Sequence, residues 1–326
     1  MGNYDKELAV AIAAVREAAK VCRSVQVTIS SDALEKKDKS PVTVADFASQ
    51  ALVCRALQDA FADDPVIGEE DAAALRGDDG AAFRARVFAE LKPFGVASED
   101  AALALIDRGG AQEYSSRFWT LDPIDGTKGF LRGDQYAVAL ALVVDGVLTV
   151  AAMACPNLPS KGANGDETGT VFWAVRGEGA FHGALDGGGS AVARVSGEST
   201  IAETRLCESF ESGHSSHDHS AQLMAKLGIS ADPVRLDSQA KYGVVARGDA
   251  EAYLRLPTRP GYREKIWDHG AGCLIVQEAG GTVTDVTGKP LDFTKGRELT
   301  ENRGVIVTHG PFHDQILETL ARLGVK

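Results

Sequence analysis

Apolar residues recur every three to four positions in the first part of the chain, which predicts an amphipathic helix. Its apolar positions are Leu8, Ile12, Val15, Ala19 and Cys22. A charged loop over 36–40 follows, and the run Ser40-Pro41-Val42-Thr43 leads into a second predicted helix with Asp46 in its first turn. That helix has Val44, Phe47, Ala51, Leu52 and Phe61 on its apolar side.

A short strand is predicted at 65–67, and it ends in Gly68-Glu69-Glu70. The segment 71–117 has little pattern apart from an alanine-rich helix at 81–91. From Phe118 the pattern becomes that of strands, and Asp145-Gly146 is a strong hairpin signal between two of them.

The remainder of the chain alternates between short apolar strands and helical patterns, which indicates a mixed α/β (α+β) protein. Helices are predicted at 217–227, 238–246, 267–279 and 311–323. A stretch rich in Pro, Gly and Asn near 155–168 predicts two halves, with boundaries at 1–158 and 159–326.

Composition and charge limit the kinds of partner and substrate that the protein can bind. The chain has 326 residues, 44% of them hydrophobic, so it can bury a sizeable core. With 34 Lys and Arg against 46 Asp and Glu, its net charge of −12 repels polyanions. We therefore expect no nucleic-acid polymer as a partner. A small anionic substrate needs metal ions or a local basic cluster to reverse that field.

Five scattered cysteines without a C-x-x-C pair indicate a reducing compartment. No run approaches the length of a membrane span. We expect a monomer in the cytoplasm, or in an organelle after loss of a targeting peptide, with no membrane partner.

The strongest chemical signal is the run Trp119-Thr120-Leu121-Asp122-Pro123-Ile124-Asp125-Gly126-Thr127-Lys128-Gly129. Two carboxylates three residues apart follow a strand, on a turn favoured by its Pro and Gly. Carboxylates, and a backbone carbonyl such as that of Ile124, are ligands that Mg²⁺ prefers. Alone, such a turn is more simply an acidic surface turn that caps a helix.

Further carboxylates at similar junctions favour a metal site over a simple surface turn. Asp46 lies at the start of a helix, Glu69 at the end of a strand, and Asp268 at the start of another helix. Junctions between loops and regular elements are where proteins present functional groups. Together with the Asp122 turn, these residues form an acidic set of the two-metal phosphatase kind.

These motifs resemble the lithium-inhibited, magnesium-dependent phosphomonoesterase superfamily that includes inositol monophosphatase. Its two signature stretches correspond to 119–127 and 267–281. Within it, the chain most resembles the 3′(2′),5′-bisphosphate nucleotidases. The segments that carry this closer resemblance are 40–46, 122–133, 213–218, 236–242, 253–257 and 264–269.

The resemblance implies a layered αβαβα sandwich and a site with two or three Mg²⁺ ions. The implied metal ligands are Glu69, Asp122, the Ile124 carbonyl, Asp125 and Asp268. Asp46 and Thr127 become the pair that orients and deprotonates the attacking water, with no covalent intermediate.

The implied activity is removal of the 3′-phosphate from adenosine 3′,5′-bisphosphate and the related phosphosulfate. In the resemblance, Lys241 and Arg255 face the 5′-phosphate, and His214 and Ser238 lie nearer the nucleoside. Gly126, Thr127 and Asp268 are expected to contact the substrate as well.

Three alternatives stay open. Arg255, between two leucines of a strand, could instead face solvent. The same metal site could serve an inositol phosphate phosphatase, because the metal ligands do not choose the leaving group. A catalytically silent nucleotide-binding protein is disfavoured, since it would need no pair like Asp46 and Thr127.

Overall fold

The structure, a computed structural model, describes residues 3–29, 40–160, 167–210, 215–259 and 261–325, with the side chains of 40–43 left undescribed. In this part of the chain the α-helices are α1 (Asp5–Gln26), α2 (Ser40–Ala60), α3 (Ala81–Leu91), α4 (Glu99–Asp107), α5 (Thr127–Arg132), α6 (His217–Leu227), α7 (Ala240–Ala246), α8 (Gly270–Glu278) and α9 (His313–Arg322). None of them combines the length and apolar character that a membrane span requires.

The strands are β1 (Val66–Gly68), β2 (Arg117–Asp125), β3 (Ala137–Val144), β4 (Val147–Pro159), β5 (Thr168–Val175), β6 (Gly179–Ala184), β7 (Ser190–Ala193), β8 (Leu206–Ser209), β9 (Val234–Leu236), β10 (Ala252–Arg255), β11 (Thr282–Thr284) and β12 (Val305–Thr308). They form a seven-stranded sheet in the order β1 to β7 and a five-stranded sheet in the order β11-β12-β10-β8-β9. In the first sheet β1 and β2 are parallel and the other pairs antiparallel.

The described helices and strands form five layers, which pack around three hydrophobic cores. The first lies between α1, α2 and one face of the seven-stranded sheet. The second lies between the two sheets, where α7 and α8 pack. The third lies between the outer face of the five-stranded sheet and the helices α6 and α9. The predicted αβαβα sandwich is confirmed.

Strand β3 shows how its sequence builds these layers. Val138, Leu140 and Leu142 point into the first core, whereas the alternate positions towards the middle layer are mostly alanine. Small side chains there allow α8 to approach closely. At Gly272, a Cβ would lie 2.3 Å from the ring of Tyr242, so any larger residue would force the two middle helices apart.

Several predicted boundaries differ from the observed ones. Helix α2 already begins at Ser40, which places Asp46 in its second turn, and α8 begins only at Gly270 because His269 has a non-helical backbone. Helix α4 and strand β7 were not predicted. The short α4 had one usable signal, its N-cap Ser98, which accepts a hydrogen bond from the Ala101 N–H.

The division of the chain into two halves stays a prediction. The seven-stranded sheet continues through β7 to Ala193, beyond the predicted boundary at 158. The two sheets therefore favour a division between β7 and β8 instead.

Candidate active site

The signature turn grows out of the end of β2. Its pairing with β3 is interrupted between Asp122 and Asp125, which turns both carboxylates towards the same opening. Gly126 then has φ +90°, a left-handed conformation that favours glycine. A Cβ at Gly126 would also lie 2.9 Å from Cβ of Ser238, so the glycine lets a second loop approach. Helix α5 begins directly afterwards, at Thr127.

Glu69 is placed beside this turn by the parallel pairing of β1 with β2. Its N–H donates to the Leu121 carbonyl (3.2 Å), which continues the ladder by one residue. Gln50 of α2 fixes the next residue, since its side chain donates to the Glu70 carbonyl (2.6 Å) and accepts from the Glu70 N–H (3.1 Å). The strand end is therefore held from two sides.

Asp268 enters from the other side of the cleft, just before α8. Arg255, at the end of β10, lies between it and Glu264, with nitrogen–oxygen distances of 3.3 Å to Asp268 and 2.6 Å to Glu264. Glu264 also contacts the buried His269, whose other ring nitrogen is 2.7 Å from the Tyr242 hydroxyl.

The carboxylates raise one another's pKa values. Burial and the charge of Glu69 raise the pKa of Asp122 well above its usual range. Burial and Asp268 raise the pKa of Asp125 to about 6. The Glu69 side chain is exposed at the cleft. Desolvation by the surrounding protein and the charges of Asp268 and Glu70 nevertheless raise its pKa to about 8. A cluster of this kind is costly without a counter-charge.

The residues present fit a hard divalent cation. Asp122 Oδ1 is buried and has no hydrogen-bond donor among the described residues. Carboxylate oxygens are ligands that Mg²⁺ prefers, and a bound cation would offset the repulsion that raises these pKa values.

Among the described residues, the group whose ligand atoms all lie close enough together for one metal ion is Glu264, Asp268 and His269. There the guanidinium of Arg255 already lies between the two carboxylates. Burial alone would raise the pKa of Glu264, but Arg255 and His269 hold it below its usual range. We therefore assign Glu264 and His269 to the support of Arg255, while Asp268 faces both Arg255 and the carboxylates Glu69 and Asp125.

Asp46 lies away from the cleft opening. It is buried in α2, and burial together with the charges of Glu70 and Glu69 raises its pKa well above the usual range. One turn further on, the Ser49 hydroxyl donates to the Pro123 carbonyl (2.8 Å), so α2 is fixed to the signature turn. Thr127 lines the cleft, and Asp46 is not among the described residues that do.

The basic side of the cleft is built on the turn Asp237-Ser238-Gln239. Ser238 has φ +65°, an unusual left-handed value for serine. The Gln239 N–H donates to Oδ2 of Asp125 (2.6 Å), and the Gln239 side chain donates to the Trp267 carbonyl (2.9 Å). This turn therefore joins both signature stretches.

Lys241 is almost fully buried behind the same turn. Its ammonium donates to the carbonyls of Ser238 (2.7 Å) and Leu236 (3.1 Å) and lies 5.1 Å from the centre of the Tyr253 ring. Burial lowers the pKa of Lys241 to about 8, although the charge of Asp125 opposes that shift.

These parts surround one cleft of about 390 Å³. The predicted residues that line it are Glu69, Asp122, Ile124, Asp125, Gly126, Thr127, Ser238, Lys241, Arg255 and Asp268. The predicted His214 lies outside the described residues. Sequence reasoning missed Gln239, although it stands between two predicted site residues, and Tyr262, for which no pattern gives a signal.

Comparison with known proteins identifies the class. The chain belongs to the inositol monophosphatase family, whose pattern it matches over residues 3–324. Its fold resembles an inositol monophosphatase from Anabaena (TM-score 0.64, 21% identity, 98% of this chain and 97% of that one covered). A Thermotoga maritima relative gives a TM-score of 0.65 at 18% identity, with 98% of each chain covered. The predicted family and fold are confirmed.

Curated relatives narrow the comparison further. A 3′(2′),5′-bisphosphate nucleotidase of Schizosaccharomyces pombe is 41% identical, over 99% of this chain and 97% of its own length. The protein of that name from Oryza sativa is 43% identical, over 98% and 95%. Members of the family generally use Mg²⁺.

Proposed function

We propose that this protein hydrolyses the 3′-phosphate of adenosine 3′,5′-bisphosphate, and of 3′-phosphoadenosine 5′-phosphosulfate, with Mg²⁺ as cofactor. One observation carries the proposal: a single cleft joins a carboxylate set to a neighbouring lysine and arginine. A substrate with two phosphates needs both parts, one for the phosphate that reacts and one for the phosphate that does not. The names of the curated relatives agree.

Glu69, Asp122, the Ile124 carbonyl, Asp125 and Asp268 would hold two or three Mg²⁺ ions. Bound there, the metal supplies acidified water and neutralises charge on the phosphate oxygens. The protein fixes these groups through its own contacts, since the Gln239 N–H holds Asp125 and the parallel strand pairing holds Glu69.

Thr127 and Asp46 would prepare the attacking water. A hydroxyl that donates its proton to a carboxylate can only accept from the water, so its lone pair orients the nucleophile. Thr127 stands at the cleft and Asp46 lies buried in α2. Burial raises the pKa of Asp46, which makes that carboxylate a stronger base.

Lys241 and Arg255 would bind the 5′-phosphate or phosphosulfate, and Ser238 and His214 would lie near the nucleoside. Arg255 is paired with Glu264 and lines the cleft with a side chain only 15% exposed, which supports this role over the solvent-facing alternative. A fixed guanidinium is well suited to a planar pair of phosphate oxygens.

The direct test is phosphate release from a substrate panel. It comprises adenosine 3′,5′- and 2′,5′-bisphosphate, the phosphosulfate, inositol 1-phosphate and inositol 1,4-bisphosphate, each with Mg²⁺ and with chelator. We expect the highest kcat/KM on the adenosine bisphosphates and phosphosulfate. Faster hydrolysis of either inositol phosphate would assign the cleft to that substrate class instead.

A further inference from the structure

Arg132, the last residue of α5, lies outside the set of described residues that line the cleft, yet it contacts Asp237, which does line it. Its Nε donates to Asp134 (2.8 Å), and a terminal nitrogen forms an ion pair with Asp237. Its guanidinium also lies 4.7 Å from the centre of the Phe210 ring. The residue therefore joins the helix that begins at Thr127 to the opposite loops.

The ion pair with Asp237 is the contact that matters most. The Asp237 side chain is only 6% exposed, so its charge depends on a nearby partner. It also packs directly on α5: a Cβ at Gly129 would lie 2.8 Å from both Cβ and Oδ2 of Asp237. The helix and the turn thus meet without a gap at this point.

The next residue, Ser238, has the unfavourable left-handed backbone. Such a conformation persists only where its surroundings hold it in place. On one side the holding contact is the ion pair of Asp237 with Arg132, and on the other it is the Gln239 N–H bound to Asp125.

The Asp237-Ser238-Gln239 turn also positions Lys241. The two carbonyls that accept from its ammonium belong to Leu236 and Ser238, the residues on either side of Asp237. A change in the conformation of the turn would therefore move both acceptors of the ammonium.

We propose that Arg132 is a positioning residue for the subsite that binds the non-reacting phosphate, acting through Asp237 and the turn on Lys241. This inference rests on the proposed function. It differs from a general structural role, because the expected loss falls mainly on the grip on the second phosphate.

The test compares Arg132→Met with wild type on adenosine 3′,5′-bisphosphate and on adenosine 3′-phosphate. We expect KM for the bisphosphate to rise about ten-fold, as for loss of one charge-assisted contact, with kcat within about two-fold. Both parameters for the monophosphate should stay within about two-fold. Arg132→Lys, which keeps a positive charge beside Asp237, should recover part of the loss in KM.

A matched control and a second variant keep the test decisive. Arg84→Met breaks a more exposed ion pair, with Glu99 (2.7 Å), whose residues do not line the cleft, and should leave both substrates unchanged. If Arg132→Met folds poorly, Arg132→Met combined with Asp237→Asn removes the buried charge that Arg132 faces. The double variant should show the same ten-fold effect as the single one, since both remove the same ion pair.

Equal losses on both substrates, or an unchanged preference for the bisphosphate, would overturn the role of Arg132. Calorimetric binding of adenosine 5′-phosphate separates this failure from failure of the proposed function. Wild type that binds this nucleotide while Arg132→Met binds it equally well refutes only the positioning role. Wild type that does not bind it at all refutes both.

Discussion

The two sides of the cleft are built in different ways. Its carboxylate side, Glu69, Asp122 and Asp125, stands at the ends of β1 and β2, which pair directly in one sheet. Its basic side, Lys241 and Arg255, comes from a helix and a strand of different layers, and tertiary contacts hold each cation.

That difference corresponds to two proposed tasks, the phosphatase chemistry and the choice of substrate. Adjacent strand ends bring these carboxylates together through direct strand pairing, and tertiary contacts then fix them. The basic side depends on the turn at Asp237, on Glu264 and on buried carbonyls. Under the proposed function, the choice of substrate depends on this side. Variants on the two sides should therefore differ in kind, with kcat affected on one side and KM on the other.

Metal removal should have the largest effect. With chelator, turnover should fall by at least about 10³-fold, because the metal contributes several kcal/mol to the transition state. Phosphate release and circular dichroism should show lost activity with retained fold, and added Mg²⁺ should restore the rate. Full activity in chelator would contradict the proposed metal site.

Asp122→Asn sharpens this first prediction. It should remove activity, yet raise the thermal midpoint measured in chelator, since it removes one member of a mutually repelling cluster. A scanning fluorescence measurement on both proteins without metal tests this. A lower midpoint would show that the carboxylate contributes to the fold in its own right.

Asp46→Asn should have the next largest effect, on the carboxylate side. A general base contributes about 10²–10⁴-fold, so kcat should fall by that factor while the dissociation constant of the nucleotide changes little. Steady-state kinetics with calorimetric binding separates the two. Wild-type turnover would mean that another group activates the water.

Arg255→Ala tests the basic side. Charge-assisted hydrogen bonds contribute about 1.5–3 kcal/mol each, so kcat/KM for adenosine 3′,5′-bisphosphate should fall about ten- to a hundred-fold. Adenosine 3′-phosphate, which lacks the second anion, should lose almost nothing. Equal losses on both substrates would place Arg255 at the reacting phosphate or in support of Asp268, which it also contacts.

The smallest expected effect is a pH dependence from Lys241. Its lowered pKa of about 8 means that it is protonated below pH 8 and loses its charge above it. KM for the bisphosphate should therefore rise above pH 8, by about ten-fold per pH unit at most, while KM for the monophosphate stays flat. Lys241→Arg keeps the charge and should remove the difference. Parallel profiles for both substrates in wild type would exclude Lys241 as the cause.

The sequence predicted the local structure of the carboxylate side better than the contacts that hold the basic side. The turn from Asp122 to Thr127 has a local signature, and the structure places its residues as that pattern suggests. The strand ends and most helices were also predictable, because apolar spacing reports local structure.

What the sequence could not provide were contacts between distant residues. Nothing near Arg255 indicates that Glu264 and Asp268 hold it, and nothing near Lys241 indicates that carbonyls hold its ammonium. Such partners are chosen by the packing of layers. The roles of the site residues themselves stay predictions, to be decided by the experiments above.

The alanine-lined face of β3 has a consequence for synthesis on the ribosome. That face is covered by α8, which follows the sheet by many residues in the chain. A nascent chain that has completed the seven-stranded sheet still exposes this apolar surface until Glu278 has left the exit tunnel. We expect the growing polypeptide to be aggregation-prone during that interval, as would be the product of a premature stop before α8, because exposed apolar surface favours aggregation.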